Sequence, residues 1–386
     1  MHGDDRNLYK PGGLYSFGAF YACKMDIRQY LKDKQTKLLK SRTRIRNFSI
    51  FDFNYIPEKP LMRQEVKPVI DALLRYQQTG IANNVLILGS RGCGKSVLAK
   101  YLMHLLDNTD GLTFVYANCR QTNTSFKILA SLLEVRPRGH SLDELWQQFI
   151  ASRHGKVVFV LDEIDLISDK DRSKDILYLI SRCEKNYMAV LLSNNPKFTA
   201  TLDESVKSSL QPEIIHFKNY NAPEIEAILK DRAEHGLTLQ PARILSEIAA
   251  MTVKNTHSDV RVAIKTLYLW ALEPEHPLAD HFNKAMQDIV FDVVKDLNDK
   301  NLLILQAAYR TRQGYVKDIY QHYRQISSSV AEQPFSYVHF YSNLSYLQSL
   351  GLILLVSAKL GRTYTNRIQL TFDPDILKTI WKMRFD

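Results

Sequence analysis

Four cysteines in 386 residues (Cys23, Cys93, Cys119 and Cys183) are too few and too scattered for a disulfide framework. No CxxC pair offers a zinc ligand set, so the chain is expected without zinc and in a reducing compartment. No stretch approaches the ~18 uninterrupted apolar residues of a membrane span. The first 23 residues (MHGDDRNLYKPGGLYSFGAFYAC) lack the basic start and apolar run of a secretory signal. Internal repeats and low-complexity blocks are also missing. What remains is ordinary globular material, 45% hydrophobic and 24% charged, which excludes a wholly disordered chain. The length fits two or three domains of ~100–200 residues each.

The net charge of +10 is unevenly placed. Residues 24–46 hold nine Lys/Arg against two acids, a net +7. Residues 300–386 hold eleven against five, a net +6, which leaves the rest of the chain at −3. Basic ends around a slightly acidic middle point to an anionic partner, most often nucleic acid. A solvated basic arm without a partner carries the same charge.

The middle alternates strands and helices. Apolar runs at 84–88 (NVLIL), 113–117 (TFVYA), 157–161 (VVFVL), 189–193 (AVLLS) and 214–217 (IIHF) lie between segments of helical period such as 95–106 and 176–183. That alternation predicts an α/β fold, a parallel sheet covered on both faces. A helical stretch follows from 222 to about 297. The tail then predicts helices at 302–311, 316–325 and 337–350, an apolar strand (GLILLVSAK), a turn at Gly361 and Arg362, and a second strand (RIQLTF). Three helices and a two-stranded wing describe a winged-helix module.

Residues 89–96 read GSRGCGKS, a match to G-x-x-x-x-G-K-[ST]. An apolar strand precedes the match and a helical pattern follows it, as the chemistry requires. Glycines let backbone N–H groups wrap phosphate closely, and the helix N-terminus adds positive potential. Gly89, Ser90, Arg91, Gly92, Cys93, Gly94, Lys95, Ser96 and Val97 are therefore candidate nucleotide ligands. Lys95 would reach the outer phosphates of ATP or ADP, and Ser96 would ligate Mg²⁺. About seventy residues on, VVFVLDEID ends a buried strand in two adjacent carboxylates. Asp162 would hold the magnesium, and Glu163 would act as general base on the attacking water. Asp165 and Asp169 are expected to be solvated or capping. Asn194 ends the fourth strand, where it could orient the water or simply begin a turn before Pro196.

The order GSRGCGKS, VFVLDEID, LLSNN, LDESVKSSL and HSDVRVA resembles an AAA+ ATPase. More narrowly, FDFNYIPEKPLMRQE, NCRQTNTSFKILASLL and LDESVKSSL resemble the archaeal origin-recognition and replication-initiator proteins. These are relatives of the eukaryotic origin recognition complex and of the cell-division-control licensing factor. The likeness runs from about 51 to 375. It implies that Tyr55, Ile56 and Arg63 line the adenine pocket and that Asn194 is the first sensor. It implies too that Arg261 is the second sensor, contacting the outer phosphate and coupling lid closure to nucleotide state. Two departures stand out. Ser205 occupies the place of the family's usual arginine finger and cannot supply a cation, and Met62-Arg63-Gln64 replaces the usual His-Arg-Glu.

Phe340, Leu344 and Leu347 share one face of the 337–350 segment and should pack inward. Tyr337, His339, Ser342, Asn343 and Ser345 are left as outward candidates for DNA, although the arginines common in related initiators near Val338 and His339 are missing. Lys359, Gly361, Arg362, Thr363 and Arg367 place cations and a tight turn at a hairpin tip suited to a phosphate backbone or minor groove. The resemblance also implies a contact from an inserted helix near Arg136, Arg138, Gly139 and His140.

The expected organisation is a basic arm (1–47), an AAA+ core (48–220), a helical lid (221–298) and a winged helix (299–386). The expected function is an ATP-dependent initiator on duplex origin DNA, cytoplasmic and chromosome-associated, with slow hydrolysis as a switch. Other initiator subunits and the replicative helicase would be its partners. A DNA-binding regulator or a nucleotide-switch signalling ATPase on the same scaffold is the alternative.

Overall fold

The computed structural model describes residues 27–41, 44–107, 111–136, 138–168, 171, 173–311, 314–360 and 363–385. Among the described residues two α-helices precede the sheet, α1 (Ile27–Ser41) and α2 (Val66–Thr79). The alternating middle follows as β1 (Val85–Gly89), α3 (Lys95–Leu106), β2 (Leu112–Asn118), α4 (Ser125–Leu132), α5 (Leu142–Ser152), β3 (Lys156–Asp162), α6 (Asp175–Ser181), β4 (Met188–Ser193), α7 (Glu204–Leu210) and β5 (Glu213–Phe217). All five expected strands form. They pair in parallel in the order β2-β3-β4-β1-β5. The register sets Leu88 beside Ser193 and Asn118 beside Asp162, so the carboxyl ends of β1, β3 and β4 open on one edge of the sheet. That edge is where parallel α/β sheets place their ligands.

Alternation along each strand divides its side chains between two cores. Leu86, Leu88, Phe159, Leu161 and Leu191 face one core, and Val85, Ile87, Val158, Val160 and Val190 face the other. The first is dense in aromatics, with ring centroids 5.0 Å apart for Phe149 and Phe159 and 5.7 Å for Phe159 and Tyr187.

Four helices come next: α8 (Ala222–Gly236), α9 (Ala242–Asn255), α10 (Val260–Leu272) and α11 (Leu278–Lys295). Ile45 and Phe51, from the segment that leads into the sheet domain, are buried with Ile225, Leu229 and Ile264 of these helices. Ile45 also bridges Leu237. Residues 45–51 therefore belong physically to the helical layer.

The tail forms α12 (Asp299–Arg310), α13 (Val316–Ser329), α14 (Tyr337–Ser349), β6 (Ile353–Leu360), β7 (Thr363–Leu370) and α15 (Pro374–Phe385). The three expected helices and the antiparallel wing are present. The closing helix α15 was not anticipated; it inserts Leu377 and Ile380 into the same core. Phe340, Leu344 and Leu347 are fully buried, as their spacing predicts. Their core also takes Ile289, Val293 and Val294 from α11, so one helix serves both the lid and the winged helix. Among the described residues no helix is long and apolar enough to cross a membrane.

Phe149 has no exposed surface and meets three other rings. Phe149→Ala should lower folding stability by about 3–5 kcal/mol, measured by chemical denaturation. A loss no larger than that of a surface substitution would show that this aromatic cluster does not hold the sheet domain.

Candidate functional site

The carboxyl edge of the sheet faces the lid across a cavity of about 540 Å³. Its floor is the loop from β1 to α3. Gly92 and Gly94 there take φ of +74° and +93°, a left-handed backbone that other residues enter at a cost. Space forbids side chains as well: a Cβ on Gly92 would fall 2.1 Å from Asp259 Oδ1, and one on Gly94 would fall 2.1 Å from the Tyr220 hydroxyl. The loop is thus pressed against residues that open and enter the lid.

Lys95 is 6% exposed. Its ammonium donates to the carbonyls of Gly89 and Ser90, both at 2.8 Å, and to Asn194 Oδ1 at 2.9 Å. Asn194 is fixed from the other side, because its backbone N–H donates to Asp165 Oδ1 at 3.0 Å. The Ser193 hydroxyl donates to the same oxygen at 2.8 Å. Asp165 is therefore not the solvated or capping residue expected from sequence. It is a buried brace for the end of β4, and burial pushes its carboxyl up. Asp169 lies outside the described residues.

Asp162 ends β3, 3% exposed, and accepts from the Tyr116 hydroxyl at 2.9 Å. Burial and the Asp162 charge push that phenol well up. Glu163 sits next, at φ +54°. Its two carboxylate oxygens accept from Arg120 Nε at 2.7 Å and Nη2 at 2.8 Å. Burial raises the Glu163 carboxyl, but the Arg120 hydrogen bonds and charge, with help from Arg91, more than reverse this and leave it below the usual range. Arg120 was missed from sequence. Its signal was present, a cation two residues beyond Asn118, whose strand register sets it beside Asp162.

Arg261 projects from the first turn of α10 and lines the same cavity. Asp259 caps that helix through Arg261 N and also accepts from Arg261 Nε at 2.9 Å. Ile56, Arg63, Ser96 and Val97 line the cavity too. Arg63 is 8% exposed; it donates to Lys218 O at 2.9 Å, pairs with Glu224 of α8 at 3.3 Å and lies 4.6 Å from the Tyr220 ring centroid. It ties the loop side to the lid. Tyr55 departs from expectation, since its ring lies under the Arg232 guanidinium at 4.5 Å and outside the cavity lining. Arg232, which also donates to the Ile50, Asp52 and Tyr55 carbonyls, takes the lining place instead. Gly89 and Ser90 turn toward a second crevice, shared with the C-terminal end of α14.

The residues fit a nucleotide with magnesium. Arg91 Nε is buried on the cavity wall with no acceptor among the described residues, which suits an anionic ligand. Ser96 and Asp162 supply one hydroxyl and one carboxylate, the sparse hard-oxygen set that magnesium uses when phosphates and waters complete its shell.

The DNA candidates do not converge on one place. Tyr337 and His339 are exposed on the first turn of α14. Further along that helix, Ser345 is not outward: Lys197 of the sheet domain donates to its hydroxyl at 3.1 Å. Lys359 lies on β6 near the hairpin turn. Arg367 is not at the tip. It pairs with Val356 within the wing and donates to the Tyr315 hydroxyl at 2.9 Å, with its guanidinium 4.8 Å from the ring centroid. Gly361 and Arg362 lie outside the described residues, as does the Thr363 side chain. Arg136, Arg138, Gly139 and His140 occupy an exposed loop between α4 and α5, in which no further helix occurs among the described residues.

Comparison with known proteins agrees with the fold. A family profile described as "AAA domain" matches residues 80–202, and one described as "CDC6, C terminal winged helix domain" matches residues 292–380. The chain is 30% identical over 355 residues to the ORC1-type DNA replication protein 1 of Sulfurisphaera tokodaii, covering 83% of this chain and 89% of that one. Among solved structures, the Aeropyrum pernix ORC1 protein in complex with DNA superimposes with a TM-score of 0.65 at 23% identity, over 89% of this chain and 98% of that one. The Aeropyrum pernix ORC2 protein (ADPNP-ADP complexes) gives 0.56 at 20% identity, over 88% and 99%. At these identities the two structures speak to fold.

The close approach of loop and lid is testable without ligand. Gly94→Ala should destabilise the protein by about 1–3 kcal/mol, read as a lower denaturation midpoint. An unchanged midpoint would mean that the loop does not need its left-handed turn against Tyr220.

Proposed function

We propose a function from one premise: the chain belongs to the family of ORC1-type DNA replication proteins. It is an AAA-class ATPase with a winged helix of the kind found at the C-terminus of CDC6 proteins. It binds duplex DNA and acts as a replication initiator at origins, associated with the chromosome. The observation that carries this reading is the convergence of Lys95, Asp162, Glu163, Asn194 and Arg261 on one cavity, from four sequence-distant segments of two layers.

ATP binds with its phosphates on residues 91–97 and its base toward Ile56 and Arg63. Lys95 exchanges its bonds with the Gly89 and Ser90 carbonyls for phosphate oxygens, and Arg91 offers its unpaired Nε. Magnesium, when bound by Ser96 and Asp162, supplies charge neutralisation on the phosphates. Glu163 takes a proton from the attacking water, and Asn194 orients that water. Arg261 reports the outer phosphate to the lid. Hydrolysis is slow because Glu163 is already held by Arg120. Ser205 sits exposed on the first turn of α7 and supplies no cation, so this chain either receives an arginine finger without donating one from that place or acts as a monomer. Other initiator subunits and the replicative helicase are the downstream partners.

On DNA, the wing and the basic arm grip phosphate more than they read bases. Helix α14 has no charged side chain, hence no bidentate guanine contact. Lys359, Arg362 and Arg367 with Thr363 form the wing contribution, Tyr337 and His339 that of α14, and Arg138 that of the sheet domain.

Lys95→Ala should abolish ATP binding in a calorimetric titration. Glu163→Gln should bind normally but lose about 10²–10⁴-fold in kcat. Retained tight binding in the first variant, or unchanged turnover in the second, would overturn the assignments. Affinity for duplex DNA should fall steeply and log-linearly with salt. A flat response would remove DNA from the account, and footprints at promoters in place of origin repeats would favour a regulator on this scaffold.

A further inference from the structure

Helix α14 presents an uncharged, apolar tip in a basic domain. Residues 300–386 carry a net +6, yet α14 itself holds no Lys, Arg, Asp or Glu. Its inner face, Phe340, Leu344 and Leu347, is fully buried. Its C-terminal half meets the sheet domain: Ser345 accepts from Lys197, and Gln348 and Ser349 line a crevice with Gly89, Ser90 and Arg91. The first turns are exposed apart from Phe340, and their large apolar side chains are Tyr337, Val338 and Tyr341. Two of these are braced. Tyr337 packs edge-on against Tyr320, with ring centroids 5.1 Å apart. The Tyr341 hydroxyl accepts from Asn366 Nδ2 of the wing at 2.9 Å. Val338, between them in sequence, is 75% exposed. A branched side chain keeps essentially one rotamer in a helix, so Val338 is a fixed apolar knob.

We propose that α14 selects A·T base pairs through the C5-methyl group of thymine, with Val338 as the specificity-determining contact. This rests on the reading of the winged helix as a binder of duplex DNA. The occupant follows from charge and from what the helix lacks. A tail of net +6, with Lys359 on the wing, suits a polyanion. In the major groove guanine is met in two places by Arg or Lys, and cytosine by Asp or Glu, and α14 has none of these. Thymine offers a methyl group, whose partner is an apolar side chain. The N-terminal turns of a recognition helix are the ones that reach base edges, and here they are also the turns that the sheet domain leaves open. Asn343, which could pair in two places with adenine, spends its amide on the His339 carbonyl at 2.8 Å. Discrimination therefore falls to the methyl contact, while the wing and the arm hold phosphate without reading sequence.

The test uses the full chain and three duplexes of equal length and phosphate charge. One has A·T pairs in mixed order, the second has uracil in place of every thymine, and the third has G·C pairs. Every A·T pair places a methyl group in the major groove, so any register on the first duplex meets one. The parent should bind the thymine duplex about fourfold more tightly than the uracil duplex, the factor one buried methyl group supplies. It should also prefer the thymine duplex to the G·C duplex. Val338→Ser should erase the thymine–uracil difference and leave the dependence of affinity on salt unchanged, whereas Val338→Ile should keep the difference. Val338→Arg should move the preference to the G·C duplex. Equal affinity of the parent for the thymine and uracil duplexes, or a difference that persists in Val338→Ser, overturns the methyl contact, while a steep salt dependence in the same titrations keeps the protein on DNA. Absence of salt-dependent binding to all three duplexes overturns the DNA reading itself, and the methyl contact with it.

Discussion

The lid reaches the phosphate loop because two positions in that loop carry no side chain. Asp259 stands where a Cβ on Gly92 would be, and the Tyr220 hydroxyl where one on Gly94 would be. From this approach the other features follow. It brings Arg261, which Asp259 orients, over the loop. It lets Arg63 span from the loop side to Glu224 of α8. It also makes the cavity a joint product of sheet edge and lid, so nothing can enter the phosphate loop without being felt by α10. A glycine requirement usually credited to ligand approach is here also a requirement of domain packing.

The lid is in turn continuous with the tail. The winged-helix core borrows Ile289, Val293 and Val294 from α11, which ties the tail to the lid through one helix. Helix α14 then bends the arrangement back on itself. Its first turn is exposed, while further along Ser345 accepts from Lys197, and Gln348 and Ser349 share a crevice with Gly89, Ser90 and Arg91. A change at the phosphate loop thus has two routes to the winged helix, one through α10 and α11 and one directly across the interface with α14.

Much of this was legible in the sequence, for stated reasons. The strands announce themselves because their residues are buried on both faces, so apolar runs such as VVFVL and AVLLS have no periodic competitor. The phosphate loop and the carboxylates of Asp162 and Glu163 are local in sequence, and local chemistry leaves local patterns. Phe340, Leu344 and Leu347 were readable from helical spacing. What sequence hid was the particular side-chain pairings between distant segments. Arg120 and Asp296 are 176 residues apart, and neither is unusual alone. Asp165 looked like one more solvated acid in an acidic stretch, because nothing local shows that Ser193 and Asn194 enclose it. Tyr55 gave way to Arg232 because the aromatic ring found a cation from the lid to cover. Arg367 lay beyond the reach of a hairpin-tip argument because strand register, which local patterns do not fix, sets it opposite Val356.

The central claim is that nucleotide is bound jointly by the phosphate loop and the lid, and that the winged helix is coupled to that event. Hydrogen exchange followed by mass spectrometry, with and without ATP and magnesium, tests it most directly. The account predicts concerted protection in peptides covering 89–97 and 259–264, together with a change in the peptide covering 342–350. Protection confined to 89–97, with the α10 and α14 peptides unmoved, would contradict it.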